Sequence, residues 1–449
     1  MLCLYRVIAI CVCLLCFGAI AQAETAAPPT LESVAQENAR LRQEVEALQK
    51  LLQDHIKPQQ GAPADQTLME RVDALEKALP AGKSPLLSSV KAELYGYIKL
   101  DASYDTSRIT PGNYAFYANS EAGNKQDNEF NMTANETRVG LNLTGPQVED
   151  MVTSGKIEFD FYGGGAETEN KPNPMLRHAL MKLDWAEEGF SILAGQTSDI
   201  ISPLVPSTLN YSVGWEAGNI GYRRPQVQLT KTVDLDGSQL TLQGGVARTI
   251  GDTTGFDPGD SGEDAGFPTV EGRAALAFPL LTSTPTVVGV SGHFGQEEYD
   301  TNAADKHVIY HTWSGNVDLT MPLVQKALAL RGEAFTGDNL DTFLGGIRQG
   351  INTPLHREIT SRGGWAAVTY TPPVPWEFNL GAGVDDPSNA DLRGIAAART
   401  KNTMIFGNAI YKINKAASVG LELSKWSTDY IDRADGDALR AETAFKYAF

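Results

Sequence analysis

Two groups of side chains in this sequence could do chemistry: a few histidines, and arginines and lysines that share short segments with carboxylates at every second position. His307 and His311 share one strand face, but Ile309 stands between them and no further ligand type is near in sequence, which argues against a metal site. His178 and His293 lack a neighbouring Ser or Asp motif that would make either the base of a nucleophilic pair, and His356 stands alone. The sequence therefore predicts no catalytic residue, no metal and no cofactor. Cys3, Cys11, Cys13 and Cys16 all precede residue 23, so an exported chain that lost this stretch would have neither thiols nor disulfides.

The cations carry more. Lys99, Arg138, Lys156, Arg224, Arg273, Arg331, Arg440 and Lys446 alternate with apolar residues, as do Asp101, Glu158, Asp160, Glu271, Glu333, Glu422 and Glu442. In a closed barrel the apolar set would meet lipid and the charged set would line a water-filled lumen. Arginines around a narrow, low-dielectric passage would favour anions over cations. Pairing of each Arg with a carboxylate on the next strand would instead leave a neutralised wall and weak selectivity.

The elements needed to position these residues can be read from residue 92 onward. Sixteen segments carry the two-residue period: one from about 92, then 137–143, 156–162, 176–185, 190–197, 222–232, 239–249, 269–279, 286–296, 308–319, 328–336, 364–371, 376–385, 402–412, 417–428 and 438–449. Their connections alternate between long ones, such as 105–132, 198–221 and 337–363, and short ones, such as 186–189, 372–375 and 413–416. That order fits a barrel with both chain ends in the periplasm. The expected fold is an all-β transmembrane barrel of sixteen antiparallel strands.

The 198–221 connection is apolar and aromatic for an outer loop, with Leu204, Tyr211 and Trp215 among its residues and Arg223 at its base. Such residues need a place to pack, either in the barrel mouth, where the loop would narrow the bore, or against a neighbouring subunit. The last strand ends on Phe449, with Leu439, Phe445 and Tyr447 on one face and Arg440, Glu442 and Lys446 on the other. A terminal aromatic of this kind resembles the signal by which assembly machinery recognises outer-membrane barrels.

The front of the chain completes the organisation. Residues 1–23 hold Arg6, an apolar core from Val7 to Ile20 and Ala21-Gln22-Ala23, the pattern of a secretory signal with its cleavage site. Residues 24–89 carry heptads, with Leu31, Asn38, Val45 and Leu52 at one seam position and Val34, Leu41, Leu48 and His55 at the other. They read as an α-helical coiled-coil stalk in the periplasm, or as an amphipathic helix lying on the barrel. The barrel is expected over 90–449. A formal net charge of -18, much of it in the outer loops, disfavours nucleic acid as a partner.

The segments ELYGYIKLDASYD, ETRVGLNLTGP, LRHALMKLDW, SILAGQTSD, RRPQVQLT, LRGEAFTGDNL followed by FLGGIRQG, and VGLELSKWSTDY stand in this order along the chain. As an ordered set they resemble trimeric outer-membrane porins of the DcaP-like type. The resemblance implies a homotrimer in the outer membrane of a Gram-negative bacterium, surrounded by lipid and lipopolysaccharide, with a periplasmic coiled coil. It also implies an inward loop that narrows the pore and passive diffusion of small anionic solutes such as dicarboxylates. The family's arginine-lined passage would fall on Arg138, Arg224, Arg273 and Arg331. Porins with phosphate preference, general porins, and a structural or adhesive barrel are the alternatives.

Overall fold

The computed structural model describes residues 90–124, 127–164, 171–251, 262–300 and 307–449. The signal segment 1–23 and the stalk 24–89 lie outside the described residues. Alternation of large apolar side chains with polar ones gives sixteen wall strands. These are β1 (Lys91–Asp105), β2 (Glu129–Thr133 and Arg138–Val148), β3 (Met151–Asp160), β4 (Met175–Trp185), β5 (Phe190–Ser198), β6 (Arg223–Leu235), β7 (Ser238–Ala247) and β8 (Thr269–Phe278). They continue as β9 (Thr286–Asp300), β10 (His307–Val324), β11 (Leu328–Asp338), β12 (Thr360–Tyr370), β13 (Trp376–Pro387), β14 (Arg399–Lys412), β15 (Ala417–Tyr430) and β16 (Gly436–Ala448). Each pairs antiparallel with its sequence neighbour, and β1 closes on β16 with Tyr97 opposite Ala448 and Asp105 opposite Arg440. Closure leaves no edge and satisfies the ladder internally, which a chain crossing hydrocarbon needs.

Two strand starts differ most from the sequence reading. β2 is one wall strand in two pieces: Glu129–Thr133 pairs with the upper half of β1, and a turn in which the Thr137 N–H reaches the Ala134 carbonyl interrupts it before Arg138. Residues 129–132, expected in a loop, therefore belong to the wall. β3 starts at Met151 rather than 156, because Met151 and Val152 already pair with Val148 and Gln147 across a two-residue turn.

The outward face is apolar: Leu94, Ile98, Leu100, Leu141, Ile157, Val227, Val290, Leu380, Leu421 and Phe445 are all exposed. In water each would forgo roughly 1.5–3 kcal/mol of burial, and a bilayer supplies that cover. At the strand ends beside the short turns, Trp185 stacks near Phe190, and Tyr370, Phe378, Trp376 and Tyr411 form a continuous cluster. Such a girdle suits a membrane interface.

The inward face is polar over most of the circumference, but on β12, β14 and β15 it carries Trp365, Met404, Phe406 and Trp426, all buried. These pack with Ala217 and Leu204 of the 199–222 connection and with Ala115 and Ala118 of the connection after β1. One hydrophobic cluster of the barrel thus lies inside the bore, formed between wall and loops.

Candidate functional site

The β5–β6 connection, residues 199–222, lies inside the barrel. Ile200, Ile201, Leu209, Trp215, Ala217 and Ile220 are buried. Its backbone needs hydrogen-bond partners there, and wall carboxylates provide them. The Ile200 N–H donates to Glu271 at 2.5 Å, the Leu204 N–H to Glu333 at 2.7 Å and the Leu209 N–H to Glu422 at 2.7 Å. The Asn408 amide donates to the Ser207 carbonyl and the Asn402 amide to that of Glu216. Three inward acids of the lumen are therefore occupied in docking the loop.

The predicted inward cations divide by what covers them. Arg224 is 1% exposed, with Nε and Nη2 on the two Asp199 oxygens at 2.8 and 3.2 Å and the Phe343 ring 3.9 Å from its guanidinium carbon. Arg440, also 1% exposed, pairs with Asp105 and Glu442 and donates to the Gly112 carbonyl at 3.0 Å. Neither offers a free surface to a solute. Loops 199–222 and 339–359 cover Arg224, and loop 106–128 covers Arg440. Arg273 is spent on Asp318 through two hydrogen bonds of 3.0 and 2.7 Å. Lys99 is buried between Asp101, Glu136 and the Leu209 carbonyl.

The remaining cations are less committed. Arg138 Nε lies 3.6 Å from Glu158 and makes no hydrogen bond there, while its guanidinium stacks 5.2 Å from the Tyr97 ring. Lys446 Nζ also sits over that ring, 3.9 Å from its centre, and Lys156 is 3.6 Å from Glu158. Arg223 lies between the Tyr222 and Trp215 rings, at 5.0 and 5.6 Å, with Nη2 buried and unpartnered. Among the described residues Arg223, Arg331 and Lys446 have no carboxylate within 4 Å, so the ion-pair inventory neutralises some of the wall cations and leaves others.

Beside the loop, on the side away from its docking wall, is a cavity of about 260 Å³. Tyr97, Arg138, Arg177, Tyr211, Trp215 and Arg223 are among its lining residues. The loop residues Tyr211 and Trp215 belong to an aromatic cluster with Tyr114, Phe116 and Tyr162. Burial, reinforced by Asp160, pushes the Tyr211 phenol well above its ordinary range, so it stays a neutral donor. Leu204 instead packs toward Trp365 and Phe406 in the docked sector.

Sequence reasoning missed Arg177. Strict alternation puts either Arg177 or His178 outside, but the β3–β4 register slips between Glu158 and Phe159, a bulge that turns both inward. Arg177 then bonds Glu158 at 2.9 Å and Asp160 at 2.7 Å, and His178 bonds Thr197 at 3.0 Å. His293 is held between Ser314 and Thr312 and stacks on Phe343. Among the described residues no three His, Cys, Asp or Glu side chains are gathered to hold a metal ion. The inward Trp365, Phe406 and Trp426 did leave a signal: large apolar residues on the otherwise polar face mark where a loop will dock.

No protein-family model matches this chain, and no curated protein sequence does. Its fold is that of solved porins and channels. The outer membrane channel DcaP of Acinetobacter baumannii superposes with a TM-score of 0.64 at 20% identity, over 81% of this chain and 98% of that one. An anion-selective porin from Comamonas acidovorans gives 0.52 at 12% identity, over 80% and 100%. OmpF of Salmonella typhi, in complex with daunomycin, gives 0.52 at 14%, over 81% and 99%. At these identities the likeness fixes the fold, a closed sixteen-stranded porin-type barrel.

Proposed function

We propose that this protein is an outer-membrane porin of a Gram-negative bacterium that lets small hydrophilic solutes diffuse through its bore, with a preference for anions of the dicarboxylate type. The observation that carries the preference is the unequal use of charge around the inner loop. Glu333 and Glu422 are taken up by loop N–H groups and by Trp365, Thr208 and Asn408, and Glu271 by one loop N–H that leaves its Oε1 unpartnered, while Arg138 and Arg223 line the cavity beside the loop with incompletely paired guanidinium groups. The two unpartnered donor atoms, Arg138 Nε and Arg223 Nη2, are themselves buried, so a passing carboxylate would meet the charge of these guanidinium groups through the parts that line the cavity. Arg331 and Lys446 would extend the basic path, and loop residues Tyr211, Trp215 and Arg223 would form its narrow point.

Residues 1–23 would direct export, 24–89 would form the periplasmic stalk, and lipid with lipopolysaccharide would surround a homotrimer, as the family resemblance implies. Purified protein in planar bilayers under a salt gradient tests the reading. Anion preference should appear as a reversal potential of the corresponding sign, and cation preference would overturn it. The paired charges Arg273–Asp318, Lys99–Asp101 and Arg440–Asp105 favour a second reading, a general porin with weak selectivity, for which the reversal potential would lie near zero. A structural or adhesive barrel would show no conductance at all.

A further inference from the structure

The loop 199–222 is held to the β8–β15 sector by several backbone hydrogen bonds, but its approach to β3 and β4 is made by a side chain. Tyr211 donates its hydroxyl to Asp160 Oδ2 at 3.1 Å. The same oxygen accepts from Arg177 Nη1 at 2.7 Å, and Asp160 Oδ1 accepts from the Tyr162 N–H at 3.3 Å. Asp160 has no exposed surface, and the Tyr162 and Tyr211 rings lie 4.1 Å apart beside it. Arg177 is in turn anchored by Nε to Glu158, whose other oxygen accepts from the Tyr95 hydroxyl at 2.7 Å. A line of hydrogen bonds thus runs from β1 through Glu158, Arg177 and Asp160 to the loop.

We propose that Asp160 is a positioning residue that sets the width and selectivity of the constriction by tethering Tyr211 and clamping Arg177, so that solutes meet Arg138 and Arg223 across a fixed gap. This rests on the porin reading above. Arg177, with both ends of its guanidinium on carboxylates, serves as the rigid edge of the opening rather than as a free anion contact. The bulge at Glu158 and Phe159 is what makes the clamp available, because it brings Arg177 to the side of the wall where Asp160 stands.

The proposal separates from simple charge counting by sign. Asp160→Asn removes one negative charge from the constriction, which alone would strengthen anion preference. If Asp160 positions, the neutral amide, with one acceptor in place of two and no charge, loosens Tyr211 and lets Arg177 pivot on Glu158, so single-channel conductance rises and the reversal potential moves toward zero. Tyr211→Phe keeps every charge and removes the hydroxyl that binds Asp160 and lies 3.5 Å from Arg177 Nη1, and should raise conductance as well. Conductance unchanged in Tyr211→Phe, or stronger anion preference at unchanged conductance in Asp160→Asn, would overturn the proposal. Tyr211→Phe also covers the case in which Asp160→Asn fails to fold. Cation preference in the unaltered protein would instead sink the porin selectivity reading, while the conductance comparison would still decide the tether.

Discussion

Gly96 and Phe449 exchange both backbone hydrogen bonds, each at 3.1 Å, so the last residue of the chain is part of the seam between β1 and β16. A Cβ at Gly96 would come within 2.2 Å of the Arg138 carbonyl oxygen and 3.2 Å of the Phe449 ring. Gly96→Ala should therefore strain the seam on both sides at once. Deletion of Phe449 removes the reciprocal pair and the terminal aromatic together. Both variants should give less folded barrel, read as a reduced heat-modifiable fraction on gels, while the channels that do insert conduct normally. Wild-type insertion of the deletion variant would count against a role for Phe449 in assembly.

Arg224 and Asp199 form a buried two-point pair at the root of the inner loop, with Phe343 stacked on the guanidinium. Removing one partner leaves the other charge uncompensated, at a cost of about 3–5 kcal/mol. Arg224→Ala should lower the urea midpoint of the detergent-folded barrel clearly. Arg224→Lys should restore little, because a single ammonium cannot reproduce the two-point geometry. Full stability in Arg224→Ala would mean that the loop root is held by other contacts.

The wall was legible in the sequence because lipid outside and water inside impose the two-residue period on every strand. What the period cannot read is what later covers a face. Arg224 and Arg440 are covered by loops 199–222, 339–359 and 106–128, which take their donors. Arg177 was invisible because a bulge breaks the period at that point. The break in β2 at 134–137 hid its first five residues for the same reason: a local turn interrupts the alternation. The apolar content of 199–222 did foretell that this stretch needs burial, and the inward Trp365, Phe406 and Trp426 supply the matching wall.

That matching wall also contains a site where the loop backbone comes too close for any side chain. An added Cβ at Gly383, on the inward face of β13, would meet the Ala217 carbonyl oxygen at 2.1 Å. Gly383→Val should push the loop off its docking sector without touching a charge. Single-channel conductance should change and the loop should become sensitive to added protease, with the barrel still folded. Wild-type conductance and protease resistance together would show that the loop is not seated there.

Glu216 offers a pH test of the same loop, because it lies outside the wall strands and is fully buried. Neither carboxylate oxygen has a hydrogen-bond partner, and Arg348, 3.3 Å away, is itself half exposed. Burial therefore outweighs the pull of Arg348 and Arg399, with Asp385 and Asp341 adding to the rise, and the carboxyl moves from 4.5 to about 8. The docked loop then holds a proton that a free carboxyl would release. Its stabilisation is complete below pH 4.5 and is lost as pH rises through about 8. Single-channel traces should be quiet in acid and grow noisier as pH passes 8, when the docked carboxyl must ionise against its surroundings. Glu216→Gln, which is always neutral, should stay quiet across the range. A Gln variant that follows the wild-type pH profile would assign the loosening to another group and remove Glu216 as its cause.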